Sequence, residues 1–382
     1  MTSRERVVMA LNHEEPDRVP LDIGSGSSTS IVVEEYENLK NHLRVSSETK
    51  ILNRVFRVAR LDNEVLRRLG SDCHPLCGGS PQNWSPPPSD PGSFIDIWGL
   101  QWKKAHYSQS CFYYELMNSP LAHAHIGDLD SYPWPDPYDP GYTAGLEDKA
   151  KRLFEQTEFA ILGDGGFKSF WELGYLLRGY DRFLMDLIMN PDFVHALLGR
   201  LCEINLVATE RFLDAVGPYI QVFRTADDVA TQKGPLLSPE MYRRFIKPLY
   251  KRYYELIKSK TDAKIFYHSC GNVTDLLEDF VDNGLDIINP VQVSAMPDTA
   301  VLKKRFGDQL VFWGGIDTQH VLPEGSVQEV EQEVRARIRD LAPGGGFVLA
   351  AVHNIQPDVP PENILAMAEA ARKYGAYPIR KS

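Results

Sequence analysis

The chain has 382 residues, of which 43% are hydrophobic and 24% are charged, a composition typical of a globular protein with a buried core. Its formal net charge of −11 argues against nucleic-acid binding, which needs basic patches. The sequence contains no run of about 18 apolar residues, the length that could span a membrane. Charged residues interrupt the opening segment, whereas a signal peptide would need a continuous apolar core. The five cysteines, an odd number, suit a reducing compartment, so we expect a cytoplasmic protein.

Short runs rich in Val, Ile and Phe alternate with helix-like segments, which predicts a parallel sheet, either closed or doubly wound. The predicted strands are Val19–Ile23, Phe159–Leu162, Tyr219–Phe223, Lys264–Tyr267, Asp286–Asn289, Leu310–Trp313 and Phe347–Val352. The predicted helices include Pro239–Lys258, Val273–Asn283 and Val327–Leu341.

One long segment, from about residue 73 to residue 142, interrupts this alternation. It is rich in Pro, Ser and Gly and carries several aromatic residues. Loops of this length inside a compact domain are usually functional. We therefore expect an irregular cap near the active-site mouth, within a single domain that covers residues 1–382.

Polar side chains follow the predicted strands at the points where they end. The carboxyl ends of parallel strands meet at one edge of a sheet, so these side chains are expected to converge. The candidates for binding a substrate are Asp22, Asp164, Thr225, Asp227, Gln292 and Asp317.

His268 and Cys270 stand two residues apart at a strand end, where both can reach one ion because residues i and i+2 point to the same side. Imidazole and thiolate together suit zinc, and His353, at the end of the last strand, is the natural third ligand. The alternative is a buried cysteine that packs beside a hydrogen-bonded histidine.

Two aspartates are candidates for acid–base chemistry. Asp228 could act as a general acid or base, as a metal ligand or as a substrate clamp, whereas one member of the Asp227-Asp228 pair could instead cap a helix. Asp72 could anchor a cationic or hydroxyl group, or it could be an exposed turn residue after Gly70.

Several longer motifs, in this order, resemble the uroporphyrinogen-decarboxylase superfamily over nearly the whole chain. They are RERVVMALNHEEPDRVPLD, GPLLSPEMYRRFIKPLYKRYYELIK, YHSCGNVTDLLEDFVDNGLDIINPVQ, FWGGIDTQHVLPEGS and HNIQPDVPPENILAM. The resemblance implies an α/β fold, a (β/α)₈ TIM-type barrel with a cleft at its carboxyl face.

The decarboxylase branch of that superfamily works without a metal and binds the substrate's carboxylates with basic side chains. By resemblance, Asp72, Tyr175, Thr225 and His353 fall at or near its other catalytic positions. Its arginine-rich motif should follow the first strand, where this chain has the run Gly24–Ser28. A substrate with eight carboxylates does not suit an uncharged loop in an acidic protein.

The methyltransferase branch carries zinc on an H-x-C pair and on a later cysteine. His268 and Cys270 match the pair, and His353 stands where the later cysteine would be. The resemblance implies a cobalamin-dependent methyltransferase that exchanges methyl groups with a corrinoid-binding protein. A histidine in place of that cysteine lowers the negative charge of the site. His353 therefore favours activation of a methyl ether, as in O-demethylation, over activation of a thiolate.

Two alternatives remain open from the sequence. One is a metal-independent decarboxylase or lyase that acts on a smaller acid through Asp72, Tyr175 and His353, and the other is a non-catalytic barrel that binds a tetrapyrrole. The sequence also leaves a homodimer open.

Overall fold

The computed structural model of the protein describes residues 1–107, 111–166 and 169–379. In chain order, its strands are β1 (Lys50–Asn53), β2 (Val58–Arg60), β3 (Cys73–Cys77), β4 (Ser93–Ile95), β5 (Gln101–His106), β6 (Phe112–Asn118), β7 (Ala160–Asp164), β8 (Val222–Ala226), β9 (Ala230–Thr231), β10 (Gly234–Pro235), β11 (Lys264–His268), β12 (Ile287–Asn289), β13 (Val311–Ile316) and β14 (Phe347–Ala351).

The helices surround these strands. They are α1 (Ser3–Leu11), α2 (Val33–Leu43), α3 (Asn63–Leu69), α4 (Leu146–Gln156), α5 (Trp171–Arg178), α6 (Tyr180–Met189), α7 (Pro191–Val216), α8 (Pro239–Phe245), α9 (Lys247–Lys260), α10 (Leu277–Asp282), α11 (Thr299–Phe306), α12 (Val321–Glu324), α13 (Val327–Leu341) and α14 (Pro361–Tyr374). None of the helices in the described ranges combines the length and the apolar character that crossing a bilayer requires.

The centre of the fold is a parallel sheet of seven strands in the order β14-β13-β12-β11-β8-β7-β3. The extended segment around Leu21 lies between its two outer strands. The backbone N–H of Leu349 in β14 donates to the carbonyl of Pro20, and the N–H of Asp72, just before β3, donates to the carbonyl of Leu21. This segment, which the sequence predicted as the first strand, thus takes the eighth position of the barrel.

The barrel interior is filled by apolar side chains from successive strands and from α1. This inner cluster is formed by Val7, Leu11, Cys73, Ala160, Leu162, Val222, Phe266, Ile287, Val311, Trp313, Val348 and Ala350. Since the interior is packed, a substrate can only enter at an end, and the polar residues at the carboxyl ends mark which end that is.

The predicted cap is more regular than the sequence suggested. Cys73–Cys77 is a strand of the central sheet, and β4, β5 and β6 form an antiparallel sheet of their own. The sequence analysis missed this sheet because its residues are mostly half-buried, which weakens the alternation of apolar and polar residues that marks a strand.

Other predicted elements also differ in their bounds. The predicted helix Val273–Asn283 begins as a 3₁₀ turn over Thr274–Leu276 and is α-helical only over Leu277–Asp282. The predicted helix Pro239–Lys258 is divided into α8 and α9 at Ile246, next to the proline in the first turn of α9. The predicted strand Tyr219–Phe223 begins later, at Val222, because a short 3₁₀ turn occupies Gly217–Tyr219.

Candidate active site at the carboxyl ends of the strands

His268 is the last residue of β11, and its side chain is held by the neighbouring strand. Its Nδ1 lies 2.5 Å from Oδ1 of Asn289, at the end of β12. The Nδ2 of Asn289 donates to the carbonyl of Trp313, which identifies Oδ1 as the acceptor. Nδ1 of His268 therefore carries the proton, and the lone pair of Nε2 is available to a metal.

Cys270 and His353 complete a cluster with His268. Sγ of Cys270 lies 3.4 Å from Nε2 of His268, and the ligand atoms of all three residues lie within 4.8 Å of one another. The rings of the two histidines are 5.5 Å apart. The structure thus brings together the three residues that the sequence singled out as metal ligands, although they come from two strands that are distant in the chain.

The orientation of His353 follows from its neighbour. Nδ1 of His353 makes a short hydrogen bond with Oδ1 of Asn354, and the same Oδ1 accepts from Nε2 of Gln356. Because Oδ1 can only accept, Nδ1 of His353 is the donor, and Nε2 is again left with its lone pair.

Burial decides the charge states in this cluster. It lowers the pKa of His268 to about 4 and lowers the pKa of His353 as well, so both imidazoles are neutral at neutral pH. Burial, helped by the carboxylates of Asp228 and Glu172, raises the pKa of the Cys270 thiol. Neutral imidazoles are the form that binds a metal, and a bound cation would favour the thiolate.

Asp228 lies beside the cluster. Its Oδ1 accepts a hydrogen bond of 2.7 Å from the backbone N–H of Cys270 and lies 4.0 Å from Nε2 of His268. Its side chain is 38% exposed, which makes it the carboxylate that both the cluster and solvent can reach.

Asp227 points away from the cluster and fixes the start of α5. Its carboxylate accepts from the backbone N–H groups of Phe170, Trp171 and Glu172 and from the hydroxyl of Tyr250. A carboxylate at a helix N-terminus satisfies donors that would otherwise lack partners. In this pair of aspartates, Asp227 therefore has the capping position, and Asp228 faces the cluster.

Tyr175 lies on α5, one turn beyond these N–H groups. Burial, together with the charges of Glu172, Asp227 and Asp228, raises the pKa of its hydroxyl, which keeps the hydroxyl protonated. Its ring contacts the rings of Trp171 and Tyr180. Tyr175 is thus near the mouth, and its hydroxyl lies 3.5 Å from Oε1 of Glu172.

Arg224, which the sequence reasoning missed, extends from β8 into the barrel. It is 2% exposed, and its guanidinium donates to Oδ2 of Asp164 over 3.2 Å and to the hydroxyl of Ser28 over 2.7 Å. A Cβ at Gly26 would lie 2.2 Å from Nη1 of Arg224, so the backbone can approach the guanidinium only because residue 26 is a glycine. The signal available in the sequence was a lone arginine within an apolar strand.

The remaining substrate candidates lie at different depths. The buried Asp22 accepts from the hydroxyl of Ser25 and from the indole of Trp313, below the mouth. Thr225 donates to the carbonyl of Phe266 and contacts Tyr254, so it faces the layer between strand and helix.

Two further candidates shape loops at the carboxyl edge. Oε1 of Gln292 accepts from the backbone N–H of Gly271 and so supports the loop after Cys270. Asp317 accepts from the backbone N–H of Gln319 and lines a separate cavity of about 450 Å³.

Asp72 lies at the opposite end of the barrel, since it immediately precedes β3. Its carboxylate is fully buried and bound by the guanidinium groups of Arg6 and Arg18, at 2.7 Å and 2.8 Å. The structure therefore does not bring Asp72 together with Tyr175 and His353, and Asp72 is not the exposed turn residue of the alternative interpretation.

The cap is linked to the cluster through Tyr113. The hydroxyl of Tyr113, on β6, donates to Oε1 of Gln356, which in turn holds Asn354 beside His353. Strand β6 of the cap thus lies near the segment that follows β14.

Comparisons with known proteins agree with this architecture. The family model described as uroporphyrinogen decarboxylase (URO-D) matches residues 127–374, more than half of the chain. A uroporphyrinogen decarboxylase of Coxiella burnetii is 26% identical over 49% of this chain and 49% of that protein. A methylcobamide:CoM methyltransferase, MtaA of Methanosarcina barkeri, is 30% identical over 56% of this chain and 58% of that protein.

The chain spans about half the length of the curated relatives it matches. A solved structure, a methyltransferase from Methanosarcina mazei, superimposes with a TM-score of 0.66 over 98% of this chain and 99% of that chain. At 19% identity this likeness shows the fold, which confirms the predicted α/β barrel. The match of the family model to more than half of the chain shows that it belongs to the uroporphyrinogen decarboxylase (URO-D) family.

Proposed function

We propose that this chain is a corrinoid-dependent methyltransferase that moves a methyl group between a small methylated substrate and a corrinoid-binding protein, with zinc bound by His268, Cys270 and His353. The observation that carries the proposal is the convergence of these three ligand atoms within 4.8 Å at the barrel mouth. The similarity to a methylcobamide:CoM methyltransferase supports the same reaction class.

The three residues fit a zinc ion by their chemistry. Ligand atoms around tetrahedral zinc lie about 3.5 Å apart, and Nε2 of His268 and Sγ of Cys270 are separated by 3.4 Å. Both histidines have their Nδ1 protons engaged by asparagine oxygens, as the second shell of a zinc site requires. With three protein ligands, a catalytic zinc keeps a position for the substrate.

A zinc ion at this place would supply Lewis acidity that polarises the heteroatom bearing the methyl group. The chain itself supplies the orientation of the ligands and a polar group beside them. When a methyl ether loses its methyl group, the C–O bond breaks with its electron pair on oxygen, and that oxygen takes up a proton. Asp228, next to the cluster and 38% exposed, is placed to relay a proton from solvent to that oxygen.

A second candidate function is decarboxylation of a small acid, and Arg224 is the observation that favours it. A buried guanidinium near both histidines offers a partner for one substrate carboxylate. Dependence on metal separates the two candidates, since the decarboxylase branch needs none.

The experiment is to measure zinc per chain after purification without chelators. We expect about one zinc per chain, retained through gel filtration, and its loss in His268→Ala, Cys270→Ala and His353→Ala. Cys202→Ala is the matched control, because Cys202 is buried on α7 and is not part of the cluster.

A wild-type chain without metal would contradict the proposal, and so would a His353→Ala variant with full zinc content. Removal of the zinc should abolish demethylation of methoxylated aromatic compounds with a cob(I)alamin acceptor. Activity that persists without metal would favour the decarboxylase alternative or another metal-independent reaction.

A further inference from the structure

The side-chain amide of Gln356 can take only one of its two orientations. Its Nε2 lies 3.2 Å from the backbone carbonyl oxygen of Asn354 and 3.1 Å from Oδ1 of the same residue. A carbonyl oxygen only accepts, so the amide nitrogen of Gln356, rather than its Oε1, must face it. The second proton of Nε2 then goes to Oδ1 of Asn354. Gln356 therefore fixes which end of the Asn354 amide is presented to His353.

The orientation of the Asn354 amide decides where the ring proton of His353 lies. As the amide stands, its Oδ1 accepts from Nδ1 of His353. If the amide were turned over, its nitrogen would donate to Nδ1, and the ring proton of the neutral imidazole would move to Nε2. A proton on Nε2 occupies the lone pair that a metal needs.

The backbone around Asn354 is held independently of these amides. The N–H of Ile355 donates to the carbonyl of Ser30 over 2.9 Å, and the N–H of Val32 donates to the carbonyl of Ile355 over 3.0 Å. Asn354 and Ile355 are 2% and 0% exposed. A substitution at Gln356 should therefore turn side-chain amides over without unfolding the segment that carries His353.

The cap holds the other end of the Gln356 amide. The hydroxyl of Tyr113, on β6, makes a short hydrogen bond to Oε1 of Gln356. Burial raises the pKa of this hydroxyl, so it stays protonated and donates. The ring of Tyr113 stacks on the ring of Tyr107, with the centroids 5.1 Å apart, which restrains the direction of the hydroxyl.

We propose that Tyr113 and Gln356 are positioning residues that couple the cap to the metal site by fixing the tautomer of His353. The inference rests on the proposed function, because the tautomer matters only if Nε2 of His353 binds a metal. Coupling of this kind is reciprocal. The factor by which an attached cap tightens zinc binding equals the factor by which zinc stabilises the attachment of the cap.

The first measurement is the tautomer of His353 in the zinc-free chain, read from the nitrogen-15 chemical shifts of its imidazole, with His353→Gln to assign the signals. We expect the proton on Nδ1 in the wild type. In Gln356→Glu, a carboxylate cannot donate, so Asn354 should present its amide nitrogen and the ring proton should move to Nε2. Gln356→Met, which also cannot donate, should give a mixture of the two tautomers.

Tyr114→Phe is the matched control for the cap. Tyr114 is the next residue of β6, and its ring packs against the rings of Phe94 and Phe112 rather than against Gln356. Its substitution removes a hydroxyl from the same strand, and we expect the wild-type tautomer and the wild-type zinc affinity. Circular dichroism of every variant checks that the barrel is intact.

The second measurement is the zinc dissociation constant of Tyr113→Phe, together with amide hydrogen exchange of β6. We expect zinc binding to weaken by about 2- to 10-fold, the effect of one hydrogen bond. Zinc should slow exchange in β6 in the wild type and in Tyr114→Phe, and should slow it less in Tyr113→Phe.

The possible failures are distinguishable. A ring proton on Nε2 in the wild type, or a tautomer that does not change in Gln356→Glu and Gln356→Met, would overturn the inference. If Tyr113→Phe binds zinc as tightly as the wild type, the coupling to the cap fails while the metal site stands. If the wild type binds no zinc but the tautomer responds to both substitutions of Gln356, the zinc-dependent function fails while the positioning by Gln356 stands.

Discussion

Replacing Asn289 by leucine tests how the cluster is oriented. Asn289 is fully buried at the end of β12, and its Oδ1 accepts the Nδ1 proton of His268. Leucine has a similar size but no acceptor. His268 then loses the interaction that keeps its proton on Nδ1, and the tautomer with the proton on Nε2 competes with metal binding.

The magnitude follows from the contact that is lost. A buried hydrogen bond whose removal leaves one polar group without a partner contributes about 1–3 kcal/mol, which corresponds to roughly 5- to 150-fold in an equilibrium constant. Second-shell partners of zinc ligands commonly affect affinity about 10- to 100-fold. We therefore expect Asn289→Leu to weaken zinc binding by about 10- to 100-fold.

The measurement is the zinc dissociation constant at pH 7.5, obtained by competition with a chromophoric chelator. Asn205→Leu is the matched control, since Asn205 is also fully buried but donates to the carbonyl of Leu201 on α7. If Asn289→Leu bound zinc as tightly as the wild type and the control, the inferred tautomer and the role of Nε2 of His268 would be wrong.

Two further predictions concern the stability of the fold. Burial raises the pKa of Glu35 to about 7, against 4.5 for an ordinary glutamate, and its hydrogen bond from Asn38 does not offset this. The folded chain thus keeps this proton between pH 4.5 and 7 while the unfolded chain releases it, so wild-type stability falls as pH rises through that window. Glu35→Gln should therefore be about 2–3 kcal/mol more stable than the wild type at pH 8 and nearly equal to it at pH 4.5, and equal urea curves at pH 8 would contradict the burial argument. Gly26→Ala should cost about 1–3 kcal/mol because its Cβ would displace Arg224, whereas Gly127→Ala, where a Cβ meets nothing within 4 Å, should leave the urea midpoint nearly unchanged.

Local patterns were enough to predict seven of the eight barrel positions and the polar residues that follow them, but they missed β3, which was predicted to belong to the irregular cap. The prediction that His268, Cys270 and His353 share a site needed only the rule that parallel strands end at one edge. Rules of that kind cannot assign direction to a side chain next to a strand end. Thr225 and Asp227 were predicted to bind a substrate because they lie at or after the end of β8, but Thr225 bonds to the carbonyl of Phe266 and Asp227 caps α5.

Contacts between distant parts of the chain explain what sequence reasoning missed. Arg224 and Ser28 are 196 residues apart in the chain, and the cap residue Tyr113 meets Gln356 across 243 residues. Asp72 was misplaced for a related reason. It precedes its strand, so the same closure of the barrel that gathers the cluster at one end sends Asp72 to the other, where Arg6 and Arg18 neutralise it.

The loop Gly24–Ser28 and Arg224 belong to one arrangement. In the decarboxylase branch, the resemblance implies arginines in the loop after the first strand, and this chain has small residues there. The structure gives those small residues a physical reason, since Gly26 and Ser28 lie directly against the guanidinium of Arg224, which enters from β8. Among the described residues, Arg224 is a buried cation paired with Asp164, beside a cluster of two neutral imidazoles and a thiol. A paired cation next to ligands for one metal suits a small substrate activated at a single atom better than a macrocycle with eight carboxylates.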